Sequence, residues 1–519
     1  MTRSALVAVF LVASALPAQT ISAQTPVRMS WQEFAKDPKR VASFRKAVAV
    51  MKSRSTADPK SAEYRGSWEY WGAMHGYFGT TSPTGTKEAW MAKYGYSPSS
   101  PYWQNVKNLT PPDSIATTVW AQCQHGTPYF FPWHRLYLYY FERVLQKAAG
   151  DPNLRLPYWD YTDTANLAMP KEFTQPTYVD SNGATVSNPL YEARRAPGWS
   201  SGSKLNGTMT NINRALNIQH FLGSGQFQST IEGTPHGDVH CAVAPCKNTV
   251  MGAVPYSSND PIFWLHHCNI DRMWDCWHSI SGHDNPSDPN YLKQQFSYVD
   301  ENGNLVTKRV NDIINGGMVD YVYERPSNCA RPGAVRVAAN KVPTAATMSA
   351  AEFDKTRVAL SRSVVLGAAK GVAINALTMR KSVTLPENQE TRSPKLFAMS
   401  AEPMVPVETD LVLKNIKFDF PPDTTYEVYL ESKSNPSKRV LVGSLNFFTT
   451  TDNTLPDQVF NITDVLPALG KGGKLDQVNV VFDASTGRVG GPGAAATFNA
   501  KAHLVVGEVD FVVRSQPNE

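Results

Sequence analysis

The stretch "CQHGTPYFFPWHRLYLYYFE", residues 123–142, sets two histidines nine residues apart inside a run of aromatic side chains. Burying polar rings without partners is costly, so a chain that surrounds His125 and His134 with apolar bulk must bring them something that satisfies them. A second region, "DPIFWLHHCNIDRMWDCWHSI", is apolar on nearly every face and reads as a buried helix carrying His267, with Asp271 one turn later. Between them, "EGTPHGDVH" places His236 and His240 four residues apart, so that in a helix both rings leave one face. His75, in "WEYWGAMHGYF", offers a third ring beside His125, from a loop, and His134, from a helix start. Two sets of three follow, and a bundle whose helices face one another is how such rings converge.

Three neutral imidazoles per ion suit copper, zinc or iron. These segments contain no E-x-x-H pair, which excludes a carboxylate-bridged di-iron bundle. Two complete trios without a nucleophile motif also argue against a zinc-dependent hydrolase, whose metal ordinarily takes three protein ligands. An apolar shell that keeps water out favours a redox metal that binds O2, and copper is the ion this pattern predicts.

The rest of the chain supplies the setting. At 519 residues it exceeds what one hydrophobic core usually supports, so two domains are expected. The formal charge of +5 comes without any long Lys/Arg run, which speaks against nucleic acid as a partner. The N-terminus, "MTRSALVAVFLVASALPAQTISAQ", has an early Arg, a short apolar run and small residues near a cleavage point, the pattern of a signal peptide over residues 1–23. The chain is therefore expected to be exported, secreted or periplasmic, and no stretch is apolar enough for membrane insertion. Helical periodicity and Gly/Pro/Asn-rich loops run from Trp31 to about Ser281 and make residues 24–330 a mainly α domain. "WQEFAKDPKRVASFRKAVAVMKSRS" reads as amphipathic helix. Residues 331–400 are weakly periodic and read as a linker, and 401–519 hold short Val-, Phe- and Tyr-rich strands between turn clusters, a C-terminal all-β, sandwich-like domain. The loop "GRVGGPGAAA" is too rich in Gly and Ala to hold a strand.

"HGTPYFFPWHRLYLYYFE" and "DPIFWLHHCNID" together resemble the two copper signatures of the tyrosinase, catechol oxidase and hemocyanin superfamily, in order and at matching spacing. The resemblance spans residues 31–330, and "IKFDFPPDTTYEVYLE" through "VGSLNFF" is similar, more loosely, to the C-terminal domain of plant-type polyphenol oxidases. It implies a four-helix-bundle core with two copper ions forming a type-3 site and O2 as co-substrate. His75, His125 and His134 would hold the first ion, and His236, His240 and His267 the second. His266 is not among the ligands, since one residue of helix turns a side chain by about 100°. Cys123 corresponds to the cysteine that some members join to the histidine two residues on, here His125, through a thioether.

The same resemblance implies oxidation of small phenols: o-diphenols to o-quinones and, in tyrosinases, ortho-hydroxylation of monophenols. Glu232 matches an acidic residue that holds a water near the second copper and takes the phenolic proton, whereas Gly237 stands where an Asn often helps orient that water. Val254 falls where some catechol oxidases carry a bulky Phe over the copper, which leaves a small gate. The expected activity is tyrosinase-like, with catechol oxidation alone as the alternative and a hemocyanin-like O2 carrier as the more distant one. By analogy the β-domain shields the pocket. Arg135, Glu142 and Asp271 read as packing partners, and His220, His278, His283 and His503 as ordinary histidines. Nearness alone suggests disulfides Cys241–Cys246 and Cys268–Cys276, with Cys329 left over, and N-x-S/T occurs at Asn108, Asn206 and Asn461.

Overall fold

Proline breaks the first helical stretch into two. In the computed structural model, which describes residues 25–324, 363–385, 404–433, 435–450, 453–469 and 477–517, a single turn at Trp31–Phe34 stops short of Asp37. The Asp37 side chain then accepts the Lys39 N–H and caps α1 (Pro38–Ser53), with Pro38 at its first position, where a missing N–H costs nothing. The expected signal peptide and Cys329 lie outside the described residues.

Four further helices surround one core. Ser67 caps α2 (Trp68–His75), and α3 (Phe130–Ala149) ends at Gly150, whose φ of 69° suits a residue without Cβ. α4 (Asp238–Val243) continues from a kinked, π-helical segment, Glu232–Gly237, and α5 (Ile262–His278) is buried along nearly its whole length. Phe141 of α3 and Trp264 of α5 stack face to face, and Trp71 of α2 stacks on Tyr137 of α3. Each such pair contributes about 0.5–1.5 kcal/mol beyond its area burial. No helix among the described residues is long and apolar enough to cross a membrane.

The histidine-bearing helices are pinned by buried charge. Arg28 is fully buried, and its Nε donates to Glu142 Oε2 at 2.9 Å while Glu142 also accepts the Leu156 N–H. Asp271 of α5 accepts from Arg135 Nε of α3 at 2.6 Å and from the hydroxyls of Tyr321 and Tyr323. Arg135, Glu142 and Asp271 thus hold α3 and α5 to the rest of the core.

The C-terminal part is a sandwich of two antiparallel sheets. Its strands are β1 (Ser363–Ala373), β2 (Thr378–Thr384), β3 (Met404–Lys417), β4 (Thr425–Ser432), β5 (Asn435–Leu445), β6 (Thr454–Leu455), β7 (Gln458–Asn461), β8 (Gln477–Ser485) and β9 (Val505–Pro517). One sheet runs β6-β3-β9-β1 with β7 also on β3, the other β5-β4-β8-β2. Leu411, Leu413 and Phe511 from the first pack with Val428, Leu430 and Phe482 from the second.

Three sequence expectations change. β1 and β2 fall inside the stretch read as linker; "SVVLGAAKGVA" is small and Gly-broken, which hid its strand character, yet it pairs along β9. The loop at 487–496 does hold a strand pair: Arg488 and Val489 pair with Leu205 and Lys204 of the helical part. Cys241–Cys246 is a disulfide, but Cys268 is a buried free thiol and Cys276 is disulfide-bonded elsewhere, because neighbours eight apart on one helix point along it and do not meet.

Replacing Arg28 with Ala leaves the Glu142 carboxylate buried without its hydrogen-bonded guanidinium, so we expect a loss of about 3–5 kcal/mol in chemical denaturation. A change below about 1 kcal/mol would mean that the network contributes little.

Candidate metal centre

Each ring is set by its main-chain surroundings. His75 ends α2, and its Nδ1 donates to Val254 O at 2.8 Å. That contact depends on glycine: a Cβ at Gly72 would strike the Asn259 side chain, and one at Gly76 the Pro255 Cα at 2.7 Å, so the segment after Val254 can lie directly against α2. His134, in the first turns of α3, donates from Nδ1 to Phe130 O at 2.7 Å. His236 donates to Glu232 O at 2.9 Å within the kinked segment, and His240 to Met251 O at 2.8 Å. With Nδ1 so engaged, Nε2 carries the free lone pair.

Those lone pairs converge. His75, Cys123, His125 and His134 form one group whose donor atoms all lie within 4.8 Å of one another, and His236, His240, His266 and His267 form another. The groups face each other: His134 stacks on His267 with centroids 4.5 Å apart, and His125 on His236 at 5.6 Å. Nε2 of His75 and of His236 is buried without a hydrogen-bond partner, and Nε2 of His240 points at Nε2 of His267, 3.2 Å away. Ring nitrogens buried without a partner are unfavourable unless an ion takes them up, so the donor set fits one soft-to-borderline cation per trio. Burial lowers His75 to about 4 and His236 to about 3, and burial together with the neighbouring rings holds His125, His134, His240 and His267 well below the usual imidazole range, so every ring is neutral at pH 7.

The remaining expected residues cluster around these rings. Cys123 Sγ lies 3.5 Å and 3.9 Å from the two ring nitrogens of His125 and 3.3 Å from His134 Nε2. Glu232 is buried; Oε1 accepts the Gly126 N–H at 2.5 Å and Oε2 the Gln228 amide at 2.8 Å. Burial pushes its carboxyl up to about 8, and those two donors pull it back. Val254 contributes its carbonyl to His75, and its side chain packs against the core of the β-domain. His266 is fully buried, with Nδ1 2.9 Å from the Tyr161 hydroxyl. Its ring belongs to the second donor group, closer than helix rotation suggested, because neighbouring rings on a buried helix can both bend toward one space.

Sequence reasoning expected the β-domain to lie over the pocket but did not name the residue that reaches the rings. Phe448, beyond β5, stacks on His240 with centroids 3.8 Å apart and planes at 14°, and its edge approaches His125 and His236. Phe447 is buried in the sandwich core. Nearby, Ser444 donates to Asp238 Oδ1 at 2.5 Å and Asn446 donates from Nδ2 to Gly233 O at 3.0 Å. A Cβ at Gly237 would overlap the Asn446 side-chain amide, so the missing side chain at 237 makes room for the β-domain.

Comparison with known proteins places the chain. The common central domain of tyrosinase matches residues 65–280, and the polyphenol oxidase middle domain matches residues 285–331. A tyrosinase from Hahella sp. is 32% identical over 302 residues, covering 54% of this chain and 59% of its own length. The latent form of a chloroplastic polyphenol oxidase from Prunus armeniaca is 28% identical over 392 residues, covering 67% and 60%. The chain thus spans about three fifths of the length of these curated relatives. Among solved structures, a latent aurone synthase (polyphenol oxidase) has a TM-score of 0.58 at 18% identity, covering 96% of this chain and 91% of its own. Latent apple tyrosinase has a TM-score of 0.55 at 19% identity, covering 95% and 98%, and both show the same fold through the helical core and the β-domain. On its two matched domains, which together take in residues 65–280 and 285–331, the chain belongs to the tyrosinase and polyphenol oxidase family.

Proposed function

We propose that the protein is a type-3 copper phenol oxidase that uses O2 to oxidise o-diphenols to o-quinones and also ortho-hydroxylates monophenols. The observation that carries this reading is the meeting of two neutral imidazole trios, His75, His125 and His134 with His236, His240 and His267, in a core without water-facing charge. Each trio would hold one copper ion, and the pair supplies the O2 binding and electron acceptance that phenol oxidation needs.

The chain's own residues do the rest. Main-chain carbonyls fix four of the rings, and Phe130, Trp133 and Phe263 wall them off from water. Glu232 accepts the phenolic proton through a water from its ionised form, and burial, which raises its pKa to about 8, makes that carboxylate the stronger base. Cys123 is close enough to His125 for a thioether, which would hold that loop-borne ring in place. Val254 leaves space at the gate. Phe448 lies flat on His240, where a phenol ring would stack, so the β-domain acts as a shield that must move or be removed before substrate enters. Export is supported by the leader-like N-terminus and by the Cys241–Cys246 disulfide. Catechol oxidation without hydroxylation is the second reading, favoured by Gly237, which offers no amide of its own beside Glu232.

Copper-loaded protein freed of its β-domain should oxidise 4-methylcatechol and, more slowly, tyrosine, with quinone followed by absorbance. Glu232→Gln should cut monophenol turnover by about 100-fold while reducing catechol turnover less. Catechol turnover with no reaction on any monophenol would leave only the second reading, and no turnover of either would remove both. The lowered imidazole pKa values also set a pH dependence. A depressed pKa keeps the ring neutral on acidification, so copper content should stay at two ions per chain from about pH 7 to about pH 5 and fall only near pH 4. Loss of copper already near about pH 6.5, measured after desalting, would mean that the rings are not buried as described.

A further inference from the structure

Lys247 is a fully buried amine at the junction of the two domains, only 1% exposed, and its hydrogen bonds among the described residues include no carboxylate. It stands just after the Cys241–Cys246 disulfide, in a turn closed by its N–H on Gly252 O at 2.7 Å, and its carbonyl accepts Trp90 Nε1–H at 3.1 Å. Its Nζ donates across the junction to Phe448 O at 2.8 Å and to Thr450 O, and sits 5.6 Å and 5.9 Å from the Trp90 and Tyr94 rings. The acceptors of this amine among the described residues are therefore main-chain oxygens of the β-domain.

The two acceptors flank Thr449 in a turn that Thr450 closes on Phe447 O at 2.9 Å. Phe447, where the turn begins, is buried in the sandwich core, and Phe448, the next residue, lies on His240. A donor that grips the turn at both carbonyls decides whether the Phe448 ring lies on His240 or swings away. Desolvation and the neighbouring Lys93 lower the amine's pKa, so the group is expensive to keep buried and needs the two carbonyls to stay there.

We propose that Lys247 is a positioning residue for the shield: its amine clamps the turn carrying Phe448 and so keeps the ring over the candidate copper site. This rests on the proposed phenol oxidase activity and its shielding by the β-domain. Without the clamp, two buried carbonyls lose their donor, and the seated position of Phe448 becomes less populated.

The test uses the full chain loaded with copper and a latency ratio, catechol turnover after proteolytic removal of the β-domain divided by turnover before it. Lys247→Met keeps the apolar stem but cannot donate; turnover before proteolysis should rise roughly tenfold or more, lowering the ratio accordingly. Turnover and KM after removal should match wild type, which a merely structural defect would not allow. Lys247→Gln, which retains an N–H donor, should fall between the two. If the Met variant is as latent as wild type while proteolysis still activates both, the clamp is overturned and the shield stands. If proteolysis activates neither although two copper ions are retained, the shielding fails and the clamp with it. Should the Met variant lose its copper, the Gln variant decides, and a ratio equal to wild type's overturns the proposal.

Discussion

The donation of Nδ1–H to a main-chain carbonyl is the contact on which the rest of this molecule depends. Four of the six imidazoles make it, and each therefore presents Nε2 inward as an unprotonated donor. The carbonyls come from four unlike pieces of chain: the 3-10 segment after Ala253, the first turn of α3, the kinked segment before α4 and the short turn at Val250–Gly252. The aromatic core fixes those pieces, and the buried ion pairs around Arg28 and Asp271 fix the helices that carry the rings. Hydrophobic burial, ring tautomer and metal affinity are thus one arrangement seen at three scales.

How far the sequence announced this depends on the kind of information each residue carries. His134, His240 and His267 sit in helices whose apolar pattern is strong, so periodicity alone places them inward. His125 has no periodicity to place it; the aromatic run around it and the count of rings suggested a trio with His75 and His134, and the resemblance of the whole signature gave that trio its role. His236 follows the break at Thr234, so it and His240 lie four residues apart on continuous helical backbone, as their spacing predicts, and the kink falls before both. The strands at Ser363–Ala373 and Thr378–Thr384 were hidden for the opposite reason: the first is small and broken by Gly, the second largely polar, and it is pairing with β9 and β8 that makes them strands.

Contacts between the domains were the least legible, because sequence patterns report local periodicity and say little about which surfaces meet. Gly237 illustrates the difficulty. Within the helical domain it looks like a lost function, an amide absent beside Glu232; with the β-domain in place it is a steric allowance for Asn446. Val254 is similar: a small side chain suggests an open gate, but the aromatic ring over the second trio arrives from Phe448, nearly two hundred residues later.

The two-residue strand pair between Arg488–Val489 and Lys204–Leu205 has a consequence for how such a molecule is switched on. Arg488 adds hydrogen bonds to Pro197 O in the helical part and to Gly493 O in its own loop. Severing the backbone between the domains would leave this strand pair intact, so the β-domain would come away only once an edge far in sequence from the cut had opened. Activation would then have two clocks, a fast one for peptide cleavage and a slower one for unzipping, and only the second would let substrate in.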